Sequence, residues 1–318
     1  MDNLCHTLVG AALAQTGLKK RTGLGAATLM IGANFPDIDI VAILFGRATE
    51  FRRGWTHGLL AIAVLPFVLT ALMIAWDRYK RRSGGTERPP VVPRELLLLS
   101  TLAIVTHPVL DWMNSYGMRW LMPFDGRWFY GDSLFIVDPW LLIMLGFGVW
   151  FSRRRERHNA PRPWKPARLA IGAAAIYIAS MSGLHEIATR SARQELSGST
   201  KASHRLFVVA APADPVRWRV YADDGDRYWR GKLSLARPRG SRVTFDEAPI
   251  AKNAGDPAAI AASRTEHGRR FLDWARMPWY RIDRRADTTL VEIVDARYGA
   301  RIEVMLDRPT PVPTRNER

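Results

Sequence analysis

Histidine and carboxylate side chains recur through the first third of this chain in patterns that suit metal binding. His107 and Asp111 stand four residues apart in HPVLDWMNS, a spacing that places both side chains on one face of a helix. A neutral imidazole and a carboxylate so placed can hold one metal ion, or the carboxylate can bridge two. The alternative is a hydrogen-bonded helix histidine followed by a capping aspartate, and the spacing alone does not decide between these interpretations.

Three earlier segments add side chains of the same kind. ANFPDIDIV is a proline-broken turn that presents the Asp37 and Asp39 carboxylates two residues apart, although aspartates also cap simple turns. His57 follows a stretch rich in Trp and Arg, which is also typical of a membrane interface. His6 lies in a short N-terminal segment and could be an ordinary polar helix residue. Together, three histidines and two or three carboxylates match the preferences of zinc and similar divalent ions.

The elements that must position these residues are apolar helices. Residues 58–76 contain 19 positions without a charge; at about 1.5 Å per residue they span roughly 28 Å, close to the ~30 Å core of a bilayer. Four further segments have a similar character, and a shorter one precedes them: 23–45, 94–113, 134–151, 167–187 and 4–17. A buried core helix is the alternative for any one of them. Their succession predicts an α-helical polytopic membrane bundle with five to six membrane segments.

The pattern changes after residue 200 to short alternating runs such as RLFVVAA, RWRVYA and ARIEVML, separated by Asp, Gly and Pro. Such runs are typical of β-strands. Four parts are therefore predicted: a transmembrane helical metal-site domain (1–189), a linker (190–203), a mainly β (α+β) soluble domain (204–308) and a disordered tail (309–318).

The net charge of +16 first suggests a nucleic-acid partner. However, the connectors 19–21, 78–94 and 153–168 hold 16 of the 46 Lys and Arg residues, whereas the alternate connectors, 46–56 and 114–133, hold five. By the positive-inside rule this charge fixes orientation, and it predicts an outer C-terminal domain if segment 4–17 crosses the bilayer. The candidate ligands then gather toward the outer face, and no nucleic-acid partner is expected.

Several motifs carry a resemblance to a known family. They are MDNLCHTLVGAALA, NFPDIDIV, RRGWTHGLL and HPVLDWMNSYG, followed by PFDGRW and DP. Over roughly residues 1–145 the chain resembles the LexA-binding, inner-membrane-associated family of predicted metal-dependent hydrolases. This resemblance implies a multi-pass protein of the bacterial inner membrane, with a metal-dependent hydrolase site and, from the charge count, a periplasmic C-terminal domain.

A more distant similarity concerns the order of the ligands. The series His, Asp, His and HxxxD is similar to the first half of the ligand set in zinc-dependent phospholipase C and P1-type nucleases, which cleave phosphoesters with a metal cluster. That similarity implies a metal set with Asp111 as the bridging ligand: His6, Asp37 or Asp39, His57, His107 and Asp111. The further downstream ligands of those enzymes have no counterpart here, so one or two zinc ions are expected rather than three.

The leading hypothesis is an integral membrane hydrolase that acts on a phosphoester or lipid-linked phosphate at the outer face. Asp39 is a further metal ligand, a group that orients a histidine, or a general base, and Asp111 joins it as a catalytic candidate. Arg52 and Arg53 are candidates for phosphate binding, and Asn114 and Tyr116 are expected to line the site. The alternative is a non-enzymatic membrane regulator or sensor with a structural metal site. A transporter is disfavoured because the polar groups gather on one side of the membrane.

Overall fold

The computed structural model describes residues 1–45, 51–83, 87–197, 205–239 and 242–307. The chain forms two compact units, each drawn from more than one stretch of sequence. The first comprises Met1–Glu195, Phe207–Val220 and Lys232–Val243; the second comprises Leu196–Leu206, Tyr221–Gly231 and Thr244–Arg318.

The first unit contains six α-helices among its described residues. They are α1 (Asn3–Gln15), α2 (Gly25–Gly32), α3 (Leu59–Arg82), α4 (Pro93–Trp112), α5 (Pro139–Arg157) and α6 (Lys165–Leu196). Short 3₁₀ helices cover Leu18–Lys20 and Phe35–Phe45. Residues 190–196 of the predicted linker are the end of α6, whereas 198–204 and the tail from 308 lie outside the described residues.

Three helices, α3, α4 and α6, are long and apolar enough to cross a membrane. The prediction of a membrane-spanning helical region is thereby confirmed, without the finer count of five to six segments. Helix α1 has 13 residues, about 20 Å at 1.5 Å per residue, and segment 23–45 divides into α2 and a 3₁₀ helix. Helix α5 begins at Pro139 behind its Asp138 cap and ends in a run of arginines, which shortens its apolar stretch.

Helix α4 lies at the centre of this unit. Its Leu99 and Ala103 side chains are buried against Leu29 of α2, and Leu96 and Ile104 are buried against Leu69 of α3. Helices α1 and α2 approach each other closely at Gly10, where an added Cβ would lie 2.4 Å from the Leu29 carbonyl oxygen. Small residues permit such close helix contacts in membranes. The N-terminal helices are thereby held against α4.

The C-terminal part is mainly β, as predicted. Its strands are β1 (Arg205–Ala211), β2 (Asp214–Asp223), β3 (Arg227–Ser234), β4 (Val243–Phe245), β5 (Ile250–Ala251), β6 (Pro278–Arg284), β7 (Thr288–Asp295) and β8 (Arg301–Asp307). The first five form one sheet in the order β1-β2-β3-β4, with β5 paired to β3, and the last three form an antiparallel sheet. Helices α7 (Pro257–Arg264) and α8 (Glu266–Trp274) connect the two sheets along the chain.

Part of the first sheet belongs to the helical unit, which the sequence does not predict. His185 of α6 donates from Nε2 to the Val208 carbonyl at 2.9 Å, and Trp140 of α5 donates from Nε1 to the Ala213 carbonyl at 3.1 Å. These hydrogen bonds fix portions of β1 and of the β1–β2 turn to the helices. The first compact unit is therefore larger than the predicted 1–189 domain.

Candidate metal centre

Four side chains from three segments point to one centre. Asp37, His57, His107 and Asp111 each offer one ligand atom, and these atoms all lie within 4.8 Å of one another. The Nε2 atoms of His57 and His107 are 3.1 Å apart, and Asp111 Oδ2 is 3.5 Å from each. Asp37 Oδ1 is 3.7 Å from His57 Nε2 and 3.6 Å from His107 Nε2. Tetrahedral ligands at the usual zinc distances stand about 3.3–3.6 Å apart, so the group has the dimensions of one coordination sphere.

The two imidazoles are held by contacts on the side away from this centre. His107 Nδ1 lies 2.7 Å from the Ala33 carbonyl oxygen. Because a carbonyl oxygen can only accept, Nδ1 carries the proton, and a neutral ring presents its Nε2 lone pair to the centre. His57 Nδ1 lies 3.0 Å from Thr56 Oγ1 and 3.5 Å from Asp39 Oδ2, which favours the same tautomer. Metal-binding histidines commonly use their second nitrogen in this way.

Asp111 is fully buried and uses its two oxygens differently. Oδ1 contacts the Met1 amino group, His6 Nε2 at 3.3 Å and Arg53 Nη2 at 3.1 Å. Oδ2 faces His57 and His107 and accepts no hydrogen bond within the described residues. A buried carboxylate oxygen without a donor is costly. A cation between Asp111 and the two imidazoles would satisfy it.

Asp39, two residues from Asp37, does not face the centre. A 3₁₀ helix has three residues per turn, so side chains two residues apart point in directions that differ by about 120°. Both residues lie in the 3₁₀ helix Phe35–Phe45. Asp39 Oδ2 instead accepts the Arg53 backbone N–H at 2.8 Å and the Thr56 hydroxyl at 3.3 Å. Its position beside His57 Nδ1 corresponds to the predicted orienting role.

His6 lies beside the group of four. Its ring stacks on His107 with the centroids 3.8 Å apart, and its Nε2 contacts Asp111 Oδ1, the oxygen turned away from the other two histidines. His6 is completely buried. It therefore adjoins the candidate metal centre through Asp111.

The predicted substrate-binding residues divide into those within the site and one at its edge. Arg53 is 5% exposed, and its Nη1 donates to Asn114 Oδ1 at 3.2 Å. Its guanidinium carbon lies 4.3 Å from the centre of the Tyr116 ring, whereas that of Arg52 lies 5.8 Å from the same ring. Arg53, Asn114 and Tyr116 thus form a polar wall beside Asp111, and Arg52 is more distant.

The sequence does not predict two groups that orient the histidines, the Ala33 carbonyl and the Thr56 hydroxyl. The Ala33 carbonyl carries no signal, because every residue has a carbonyl and only the fold selects this one. Thr56 offers a weak signal as the neighbour of His57, since a hydroxyl can hold an imidazole.

Access to the site is from the side of Asp37. Its side chain is 19% exposed, whereas those of His57, His107 and Asp111 are at most 1% exposed. A surface cavity of about 460 Å³ adjoins it and is lined by Asn3, Met30, Ile31, Asn34, Phe35, Asp37 and Ile38. Solvent or a ligand would therefore approach the centre past Asp37.

The helical fold with membrane-spanning helices and a buried His/Asp group defines a multi-pass membrane protein with a candidate metal centre. Residues 1–186, which include the whole group, match the model of the family described as YdjM inner membrane protein. The chain belongs to this inner-membrane family. That description names a membrane and no reaction, so hydrolysis and LexA binding stay predictions.

One curated relative gives a partial match. The chain is similar to the uncharacterized protein YfhP of Bacillus subtilis (strain 168), with 26% identity over 164 residues. The match covers 48% of this chain and 47% of the relative, so the chain spans about half the length of that relative. No solved structure matches the chain.

Proposed function

We propose that this protein is a metal-dependent hydrolase of the inner membrane that cleaves a phosphoester of a lipid or lipid-linked substrate at the outer face. The observation that carries the proposal is the group of four ligand atoms with the spacing of one coordination sphere, next to the buried Arg53 guanidinium. A metal site beside a cationic side chain suits an anionic phosphate.

The donor set fits zinc. Two imidazole nitrogens and two carboxylate oxygens are ligands that zinc accepts, and a cation would satisfy the Asp111 Oδ2 atom, which has no hydrogen-bond partner among the described residues. A bound zinc ion lowers the pKa of a coordinated water toward neutrality and polarises a phosphoryl oxygen. His57, His107, Asp37 and Asp111 would hold the ion. His6, whose Nε2 lies 3.3 Å from Asp111 Oδ1, would be a ligand for a second ion if two are bound.

The surrounding residues supply binding and orientation. Arg53 carries five N–H donors in a planar fork, and those not used on Asp111, Asn114 and Gly117 are available to a phosphate oxygen. Asp39 holds His57 from behind. Asp37, as the most exposed of the four ligands, is the one beside which water and substrate would enter.

The proposed orientation places the basic connectors inside and the β-rich region in the periplasm, with five to six crossings. Contacts among these connectors support it: Lys19 pairs with Glu156, and Lys19, Arg88 and Glu156 border one cavity. Residues from all three connectors thus meet on one side. An alkaline phosphatase fused to the C-terminus would be active under this topology, and an inactive fusion would contradict it.

The activity is tested on full-length protein purified in detergent. We expect wild-type protein to carry one to two equivalents of zinc by mass spectrometry of metals and to hydrolyse bis(p-nitrophenyl) phosphate. His107→Ala and Asp111→Ala should lose both properties. His158→Ala, which alters an exposed histidine of a basic connector, should retain both. Wild-type protein without metal and without hydrolysis would overturn the proposal.

A regulator or sensor with a structural metal is the second candidate, and the ligand count favours it. Structural zinc sites are closed by four protein ligands, whereas catalytic sites keep a position open, and here four side chains converge. Absorption spectroscopy of the cobalt-substituted protein separates the two functions. A four-coordinate spectrum that does not respond to added phosphate would indicate the regulator, and a spectrum that changes would indicate the hydrolase.

A further inference from the structure

A second cavity lies at the opposite end of α4 from the metal centre. It has a volume of about 790 Å³ and is bordered by the 3₁₀ turn Leu18–Lys20, the start of α2, the segment that leads into α4, and Glu156 of α5. Its four basic lining residues, against one carboxylate, are Lys19, Lys20, Arg21 and Arg88. The cavity is therefore electropositive.

The carboxylates of Glu156 and Glu95 neutralise part of this positive charge. Lys19 pairs with Glu156, and Arg21 donates from Nη2 to Glu95 at 3.2 Å. Lys20 and Arg88 lie on the exposed rim of the cavity. An anion that enters would meet these two side chains first, while the Lys19 and Arg21 pairs fix the wall behind them.

The N-terminus of α2 adds backbone donors to the same space. Gly25, Ala26 and Ala27, the first three residues of α2, line the cavity. The N-cap residue is Leu24, and no side chain of the described residues caps this helix end. The Gly25 N–H donates to the Thr22 carbonyl at 3.3 Å. The N–H groups of Ala26 and Ala27 lack intrahelical partners, and they favour an anion there together with the helix dipole.

The cavity walls are held by specific contacts. The Val92 N–H donates to Thr22 Oγ1 at 2.7 Å, and Arg81 donates from Nη2 to the Arg88 and Pro89 carbonyls at 3.1 and 3.0 Å. Gly23 lies so close to the Pro89 carbonyl that an added Cβ would be 2.1 Å from its oxygen. The two segments that carry the cations are thus fixed against each other, and the cavity is a built feature of the fold.

Its depth matches the phosphate layer of a membrane. The cavity lies where the candidate spans α3 and α4 end and begin. Trp76 and Tyr79, both exposed near the end of α3, are the aromatic residues typical of the membrane–water interface. The exposed apolar surface of α3 below them includes Leu72 and Val68, which would contact acyl chains.

We propose that this cavity binds the phosphate group of an anionic phospholipid. The phosphate would lie between Lys20, Arg88 and the first turn of α2, with the acyl chains along α3. Basic pockets beside membrane helices suit such headgroups by charge and depth. This site is separate from the metal centre and does not depend on the proposed hydrolase activity.

The test uses the full chain in a neutral detergent, titrated with dihexanoyl-phosphatidylglycerol and followed by native mass spectrometry. Dihexanoyl-phosphatidylcholine, with the same chains and a zwitterionic head, is the matched lipid. We expect the anionic lipid to bind at least tenfold more tightly. Lys20→Gln/Arg88→Gln should weaken its binding about thirty-fold, the effect of two basic residues at a membrane surface.

The control variant is Arg78→Gln/Arg82→Gln, which removes the same amount of charge at exposed residues of the 78–94 connector that do not line the cavity. We expect it to change binding by less than about threefold, since each distant exposed charge is largely screened. Equal losses in the two double variants would overturn the proposal, because the binding would then be general surface charge. Equal affinity for the two lipids would overturn it as well.

Competition with glycerol 3-phosphate and inorganic phosphate identifies the source of the anion. We expect millimolar concentrations of either to displace little phosphatidylglycerol from wild-type protein, because neither competitor has acyl chains that could contact α3. Displacement at concentrations equal to that of the lipid would show a soluble phosphate site and would overturn the assignment to a lipid.

Discussion

The charged groups at the two ends of α4 differ in their exposure to solvent. Near its C-terminal end, His107 and Asp111 are completely buried. Around its N-terminal end, Lys20 and Arg88 are exposed. Pro93 and His107 are about 21 Å apart along the helix axis at 1.5 Å per residue. One helix therefore supports a desolvated cluster at one end and a solvated cationic cavity at the other.

The difference follows from what each site would hold. A divalent ion needs ligand atoms fixed at short distances, and burial with outer hydrogen bonds such as His107 Nδ1 to the Ala33 carbonyl supplies this. A lipid phosphate exchanges with the bilayer, so it is suited by long side chains at the interface and by backbone N–H groups at a helix end. Loss of one residue should accordingly be severe in the cluster and graded in the cavity.

The largest effect is expected from Asp111→Asn. The substitution leaves Arg53 buried beside an uncharged amide and replaces one carboxylate oxygen with an NH2 group, so the side chain loses its negative charge. Breaking a buried ion pair costs about 3–5 kcal/mol, and metal should be lost. Asp77→Asn is the control, since Asp77 is a buried carboxylate paired with Arg81 elsewhere in α3. Thermal unfolding in detergent and metal content measure both effects; metal retained in Asp111→Asn would show that the cluster is not the metal site.

Gly10→Ala should be the next most severe change. Its Cβ would lie 2.4 Å from the Leu29 carbonyl oxygen and 2.8 Å from Met30 Cα, forcing α1 and α2 apart. Overpacking of this kind costs about 1–3 kcal/mol. Gly172→Ala in α6, where no atom lies within 4 Å of the new Cβ, should be neutral or slightly stabilising. Equal melting temperatures for the two variants would mean that the α1–α2 contact is looser than described.

Asp39→Asn should lower metal affinity without abolishing it. The substitution weakens the carboxylate contact with His57 Nδ1 but leaves the four ligand atoms unchanged. Loss of such an orienting group costs about 10–100-fold in metal affinity. Competition with a chelating dye measures it, and Asp138→Asn, at a buried cap of α5 outside the cluster, should bind metal normally. An Asp39→Asn variant without any metal would make Asp39 a direct ligand.

The smallest effects are expected from salt on the metal centre and from the metal on lipid binding. Raising the salt from about 0.1 M to 1 M shortens the Debye length from roughly 10 Å to 3 Å, which should weaken phosphatidylglycerol binding and leave the metal content unchanged. Removal of metal with a chelator should alter lipid affinity by less than about twofold, since sites this far apart are usually additive. A larger change would show that α4 couples the two sites.

The sequence already contains much of the cluster. The i, i+4 pair of His107 and Asp111 and the nearby His57 follow from residue type and helix periodicity, and the structure brings them together. The sequence does not predict that Asp37 faces the metal centre and Asp39 does not, because this depends on whether the segment forms a 3₁₀ helix or an extended turn. The sequence does not predict the cationic cavity. Its residues indicate only membrane orientation, because they come from connectors far apart in the chain.

The sequence by itself determined the features that depend on local pattern. These are apolar helices long enough for a membrane, alternating strands after residue 200, and ligand types that suit a divalent metal. The tertiary structure decided which oxygen of Asp111 faces the histidines, which carbonyl fixes His107, and that β1 is fixed to α6. Periodicity specifies the face of an element on which a side chain lies. The partner that this face meets is set by packing between segments distant in sequence, which no local pattern encodes.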